Sequence, residues 1–312
     1  MTNAIEEKSV SNIPDFIKEV LDFKSDENCT TYFRGESEDF EATALQPSIY
    51  RKANHLKNEH HIYREMQRFN DYEFTEDKST VDRLSRMQHY LLPTRLIDLS
   101  EDALTALYFA VETRTKCEDA VVYVVAIENE KIKYYDSDTV SVIANLAKSP
   151  LGSSDDKNVK SKYAIAKDAK NASERRDRIS NYNECESTKF LLHDIKEDKG
   201  YFSNLIDPKH IFSVQFVKPK LTNTRIYGQK GAFLLFGLNI NDVEKNIPII
   251  EYKDKSPVLL DNKLIQHPIK KILKIKINYS VDLKELRKVG ITKPYIYTGM
   301  DKISEHLKDV YK

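Results

Sequence analysis

The densest run of chemistry-bearing side chains spans residues 87–100, Met-Gln-His-Tyr-Leu-Leu-Pro-Thr-Arg-Leu-Ile-Asp-Leu-Ser. Gln88, His89, Thr94, Arg95, Asp98 and Ser100 stand there between two strongly apolar stretches. Charges embedded in apolar sequence must be paired or put to use, because an unpaired buried charge is expensive. A buried Arg95–Asp98 clamp is the structural reading of this run, and an anion-binding site is the functional one. Histidine as a residue type titrates near neutral pH, so His89 has the chemistry of a general acid or base. Two other places repeat the pattern. Arg34 stands just before Gly35, where a guanidinium can hold an anion that approaches the backbone closely. Arg225 and Gln229 precede the apolar run 232–236 at a glycine-containing turn.

The elements that must carry these groups follow from periodicity. A helix over 81–90 is closed by Pro93, and residues 94–99 read as a short strand with Leu96 and Ile97 inward. Ser100 is the expected N-cap of the next helix, with Glu101 and Asp102 in its first turn. Leu104, Leu107, Tyr108 and Val111 form the apolar stripe of that helix. The polar groups therefore fall at element junctions, where sites are commonly built.

Around this centre, residues 13–23 read as an amphipathic helix opened by Ser11 or Asn12, with Ile13, Phe16, Ile17, Val20 and Leu21 buried. Residues 30–34 read as a strand stopped at Gly35, and residues 58–69 as a helix with Ile62, Met66 and Phe69 inward. His55, His60 and His61 lack a Cys or carboxylate at metal-ligand spacing, so no metal is expected. Residues 120–127, continuous and β-branched, read as a strand buried on both faces. Residues 140–147 read as a helix, and 211–217 and 232–236 as strands. Leu273-Lys274-Ile275-Lys276-Ile277 alternates strictly, which predicts an edge strand with its lysines in solvent. A helix over 281–289 closes at Gly290, and residues 300–311 form a last helix with Ile303, Leu307 and Val310 inward. Residues 151–187 are polar and read as an insertion containing a helix near 164–178.

The 312 residues carry 49 basic and 49 acidic side chains, so no global field draws the chain to nucleic acid or an anionic membrane. No apolar run is long enough to span a bilayer, and residues 1–10 lack a signal-peptide layout. Cys29, Cys117 and Cys185 form neither a disulfide framework nor a zinc motif. The expected setting is a reducing cytoplasm.

Three segments together resemble the FRG domain family: Phe33-Arg34-Gly35, then Gln88 through Asp98, then Ala106-Leu107-Tyr108-Phe109-Ala110. Gln229-Lys230-Gly231 and the stretch from Gly290 to Asp301 resemble that family's downstream pattern. Leu91 stands where the family usually has Gly, Leu99 where it has Trp, and Ala103 where Pro is common. A weaker resemblance of layout is to ADP-ribosyltransferases. It implies that Arg34 holds a phosphate or ribose of NAD, that Ser100 orients the arginine, and that Tyr108 or Phe109 walls the nicotinamide pocket. Gln229 occupies the place of a late glutamate, with Glu101 or Asp98 as substitute acids.

These readings combine into an α+β protein with a mixed, partly split central sheet flanked by helices, ADP-ribosyltransferase-like in layout. Residues 1–240 form the FRG-type domain with the insertion, and residues 241–312 pack on the same domain. The site is expected to use Arg34, His89, Ser100 and Gln229 in catalysis, with Gln88, Arg95, Asp98, Tyr108 and Phe109 in binding. The function implied is an ADP-ribosyltransferase or NAD glycohydrolase with a toxin or phage-defence role. It would consume NAD, take a protein or nucleic-acid acceptor, and need no metal or membrane. Two rivals stand beside it: a phosphate-handling enzyme using His89, and a non-catalytic ligand-binding or sensor domain.

Overall fold

The computed structural model describes residues 3–115, 118–150, 172–220, 231–239, 247–253, 256–260, 266–297 and 299–311. From the N-terminus, β1 (Asn3–Ala4) and β2 (Glu6–Val10) lead into α1 (Ile13–Asp22) and β3 (Cys29–Glu36). Helices α2 (Ala53–Lys57), α3 (Glu59–Phe69) and α4 (Thr80–His89) precede β4 (Leu96–Ser100) and α5 (Ala103–Glu112). Next come β5 (Ala120–Glu128), β6 (Ile132–Tyr134), α6 (Asp138–Asn145), α7 (Ala172–Asn183), α8 (Glu186–Asp198) and α9 (Pro208–Ile211). The chain continues through β7 (Val214–Lys218), β8 (Gly231–Phe236), β9 (Ile250–Lys253), β10 (Ser256–Leu259) and β11 (Ile269–Ile277). Helices α10 (Leu283–Lys288), α11 (Lys293–Ile296) and α12 (Met300–Val310) follow.

The architecture is α+β. The main sheet runs β2-β11-β5-β3-β4-β8-β7-β6 and mixes parallel with antiparallel neighbours. A small second sheet, β1-β10-β9, packs against it, Ile250 and Leu259 sharing a buried cluster with Tyr123 and Ile272. Strand β5 is central and fully enclosed from Ala120 to Ile127, as its unbroken β-branched run demands. The main sheet is split in the middle. Strands β3 and β5 pair along all of Cys29–Glu36, and β4 and β8 along all of Leu96–Ser100, yet β3 and β4 share only the pair Phe33–Ser100.

Helix α5 lies against β3, and Gly35 is what lets it. A Cβ built on Gly35 would fall 1.9 Å from the carbonyl oxygen of Ala106 and 2.7 Å from the nitrogen of Ala110. The strand continues through this glycine to Glu36 instead of stopping there. Its function is close helix–strand contact, for which the small Ala106 and Ala110 are matched.

Several expectations change for one reason, the partner each face meets. Strand β11 is not an edge. The polar β2 pairs with it in parallel, a strand that no hydrophobic alternation announced. Lys274 is consequently 1% exposed and donates to Asp39 (2.7 Å) and to the Tyr252 hydroxyl (3.0 Å). Burial lowers its pKa, but those hydrogen bonds outweigh it and the net shift is upward. In α1, N-capped by Asn12, Ile13 and Phe16 are buried while Ile17 and Leu21 are exposed. Phe69 of α3 is also exposed, its inward positions being Glu59 and Tyr63. Leu307 of α12 is exposed as well. The helical part of the polar segment spans Ala172–Asn183, and residues 151–171 lie outside the described residues.

The Gly35 contact makes a sharp prediction. Gly35→Ala should destabilise the protein by about 3 kcal/mol, because backbone cannot yield as a flexible side chain does. A denaturant midpoint unchanged from wild type would show that β3 and α5 part at no cost.

Candidate functional site

Where β3 and β4 diverge beyond the Phe33–Ser100 pair, a cavity of about 420 Å³ opens between the two halves of the sheet. Its wall comes from β3 and the turn after it (Arg34, Glu36, Ser37, Phe40), from β4 (Asp98, Ser100) and from the end of α5 (Phe109, Glu112). Arg51, Leu91, Gly231, Phe233 and Tyr297 are also part of it.

Arg34 is held from both sides of the split. Its Nε donates to Glu36 Oε1 at 2.8 Å, and its Nη1 donates to the carbonyl of Asp98 at 3.0 Å. Residues two apart on a strand share a face, so Arg34 and Glu36 meet across one pleat. Glu36 is buried and also accepts the backbone N–H of Leu45 at 3.4 Å. Among the described residues Nη2 of Arg34 takes no hydrogen bond, which leaves part of the guanidinium fork for a ligand. Arg51 lies on the same wall, its guanidinium 5.6 Å from the Phe40 ring centre.

Another part of the lining is aromatic and acidic. The rings of Phe109 and Tyr297 meet edge to face at 6.2 Å. Glu112 Oε2 accepts the Tyr297 hydroxyl at 2.5 Å, and its Oε1 accepts the Tyr108 hydroxyl at 3.4 Å. Tyr108 itself is buried and does not line the cavity. Burial first, and then the charge of Glu112, raises its phenol.

Ser100 lines the cavity at the join, but it is not the N-cap of α5. Asp102 caps that helix, its Oδ1 accepting the N–H groups of Leu104 (2.9 Å) and Thr105 (3.4 Å). Ser100 Oγ accepts the N–H of Asp102 at 3.0 Å, one step upstream, because β4 continues through Ser100.

Arg95 has a different duty from the one its motif implied. Positions 95 and 98 are an odd number apart, so in extended chain they point to opposite faces. Asp98 is exposed, while Arg95 is fully buried and donates to Glu59 at 2.5 Å and to Tyr50 at 3.4 Å. No Arg95–Asp98 clamp forms. Burial pushes the Tyr50 phenol up to about 12 and raises the Glu59 carboxyl despite its arginine. Gln88 accepts the Thr94 hydroxyl and ties the end of α4 to the following loop. His89 sits half-buried with its ring edge-on to Tyr90 at 5.0 Å, off the cavity wall. Gln229 and Arg225 lie outside the described residues.

Leu91 brings α4 to the cavity through an unusual backbone angle. Its φ is +63°, and the N–H groups of Leu91 and Leu92 bond the carbonyls of Gln88 and Met87 in a Schellman turn. This position favours glycine, and the leucine here projects 87% exposed at the cavity mouth. Among the described residues, no group of three or more His, Cys, Asp and Glu is placed to hold a metal ion. Nor, among them, is any helix long and apolar enough to cross a membrane.

The family model for the FRG domain matches residues 30–119. This segment is an FRG domain. It runs from β3 through α5 and so supplies Arg34, Glu36, Arg51, Leu91, Asp98, Ser100, Phe109 and Glu112 to the cavity. Gly231, Phe233 and Tyr297 come from beyond the FRG match, as does the downstream stretch that resembles the family. No curated protein and no solved structure matches the chain.

Of the sequence candidates in the FRG signature, Arg34 is one that the fold brings to the cavity lining. The pairing of Arg34 with Glu36 and of Tyr108 with Glu112 was signalled by their spacing, two in a strand and four in a helix. Arg51 and Tyr297 carried no such signal, since tertiary folding alone brings them to the wall.

Two outcomes follow from this geometry. Arg95→Met should cost about 3–5 kcal/mol by leaving Glu59 buried alone. Losing the arginine raises the already elevated Glu59 carboxyl further, so the deficit should shrink on acidification as that carboxyl is neutralised. Denaturant midpoints at neutral and mildly acid pH check both parts. Leu91→Gly should stabilise by about 0.5–1 kcal/mol, the relief of a left-handed leucine less the added freedom of glycine when unfolded. A lower melting temperature for that variant would refute the strain argument.

Proposed function

We propose that the cavity binds NAD and cleaves its nicotinamide–ribose bond, as an NAD glycohydrolase or an ADP-ribosyltransferase. The observation that carries this reading is the placement of Arg34 at the split of the sheet. Clamped by Glu36 and the Asp98 carbonyl, its guanidinium lines the cavity with its second amino group unbonded among the described residues. A pre-organised guanidinium recognises phosphate oxygens without an ordering cost at the moment of binding. Arg51 adds a second positive charge to the cavity lining, which suits a ligand carrying more than one phosphate.

The rest of the cavity accords with the nucleoside end. Phe109 and Tyr297 present aromatic surface to a planar heterocycle. Glu112 offers a carboxylate to ribose hydroxyls or to the charge that develops at the anomeric carbon. Ser100, at the join, is close in the fold to the Arg34 clamp and supports its position through β4. The volume is that of an ordinary small-molecule site. Depletion of NAD by such an activity is the chemistry a toxin or phage-defence protein would use. His89, the centre of the rival phosphate-handling reading, lines no part of this cavity.

Nicotinamide release from NAD by purified protein tests the proposal. Wild type should turn over, and Arg34→Lys, which keeps the charge but loses the fork, should fall about 100-fold in kcat/KM. Its melting temperature should stay within a few degrees of wild type. A thermal shift on adding NAD without release would instead make the protein an NAD-binding module. Neither shift nor release would refute the proposal.

A further inference from the structure

Among the described residues, three carboxylates line the cavity, and their surroundings divide the work between them. Glu36 is buried against Arg34, so its charge is already answered. Asp98 lies exposed on β4 and offers Arg34 its backbone carbonyl. Glu112 is different. It is half-buried on the last turn of α5, and both of its oxygens accept hydrogen bonds from tyrosines, at 2.5 Å from Tyr297 and 3.4 Å from Tyr108. Neutral donors orient a carboxylate without cancelling its charge, and each oxygen keeps a further lone pair. The burial of Tyr108 and the raised phenol that results keep its hydroxyl a donor. Tyr297 reaches Glu112 from beyond α11, packing on both Tyr108 and Phe109 at 6.2–6.3 Å.

We propose that Glu112 is the catalytic base for the hydroxyl that attacks the anomeric carbon, with Tyr297 as its positioning residue. This rests on the NAD reading above. In the step, the bond between the anomeric carbon and the nicotinamide nitrogen breaks, and its electron pair goes to the ring nitrogen, so nicotinamide leaves neutral. The positive charge left on the sugar is shared with the ring oxygen. A hydroxyl oxygen, from water or an acceptor alcohol, forms the new C–O bond, and its proton passes to the Glu112 carboxylate and then to solvent. With water the products are ADP-ribose, nicotinamide and one proton.

The test compares wild type, Glu112→Gln and Tyr297→Phe for nicotinamide release, with KM for NAD, pH profiles and melting curves. Glu112→Gln should lose about 100-fold or more in kcat with little change in KM, and the acid limb of the kcat profile should vanish. Azide has no proton to surrender, so it should restore release in Glu112→Gln while leaving wild type unchanged. Tyr297→Phe should lose less kcat and displace the acid limb, which loss of packing alone would not do. Turnover of Glu112→Gln within a few-fold of wild type, or no rescue by azide, would overturn the assignment while the NAD reading stands. A wild type that releases no nicotinamide would overturn both.

Discussion

A single backbone pairing, Phe33 with Ser100, joins the two halves of the main sheet, and the cavity exists because the strands part on leaving it. Strands that diverge expose backbone polar groups which must find partners elsewhere. Here the Asp98 carbonyl takes Nη1 of Arg34, so a side chain bridges the gap the ladder abandons. The same residue therefore closes the backbone accounting and lines the cavity. Gly35, next in sequence, lets α5 sit directly against β3 and brings Phe109 and Glu112 to the other wall. The Phe-Arg-Gly triplet thus divides into a core ring, a bridging cation and a packing contact.

Each buried charge around this join is matched by a partner from another part of the chain or the next pleat. Arg34 has Glu36, Arg95 has Glu59, and Lys274 has Asp39. Such pairs add little net stability over apolar packing, yet breaking one is costly, so they constrain which arrangement the chain can adopt. Register makes the pattern continuous: Arg34, Tyr123, Lys274 and Glu7 lie opposite one another across β3, β5, β11 and β2. Lys274 also holds Asp39, in the turn that carries Ser37 and Phe40 to the cavity rim. The mid-sheet lysine and the site are parts of one polar layer.

The FRG segment contains most of the cavity wall but does not complete it. Strand β8 contributes Gly231 and Phe233 beside β4, and the stretch after α11 contributes Tyr297. Strand β11 pairs with both β2 and β5, so an early and a late strand meet in the sheet that supports Arg34.

Local pattern in the sequence determined much of this. The fully buried β5, the capped α1, the Gly290 turn with φ of +86° and the α+β class all follow from periodicity and end signals within a few residues. Arg34 stood out as a candidate because it ends an apolar run and a glycine follows, and it does line the cavity. Only the tertiary structure decided who meets whom. The lysine alternation of β11 reads identically for an edge strand and for one whose polar face is covered, and the polar β2 that covers it has no hydrophobic signature. Arg95 could be seen to need a partner, but that the partner is Glu59, thirty-six positions away, depends on how α3 docks. Glu112 is four residues from Tyr108, whereas Tyr297 comes from 185 residues away. Sequence spacing sets which face a side chain takes within its own element. The contacts that turn that face into a core, a clamp or a site belong to the other elements the fold places against it.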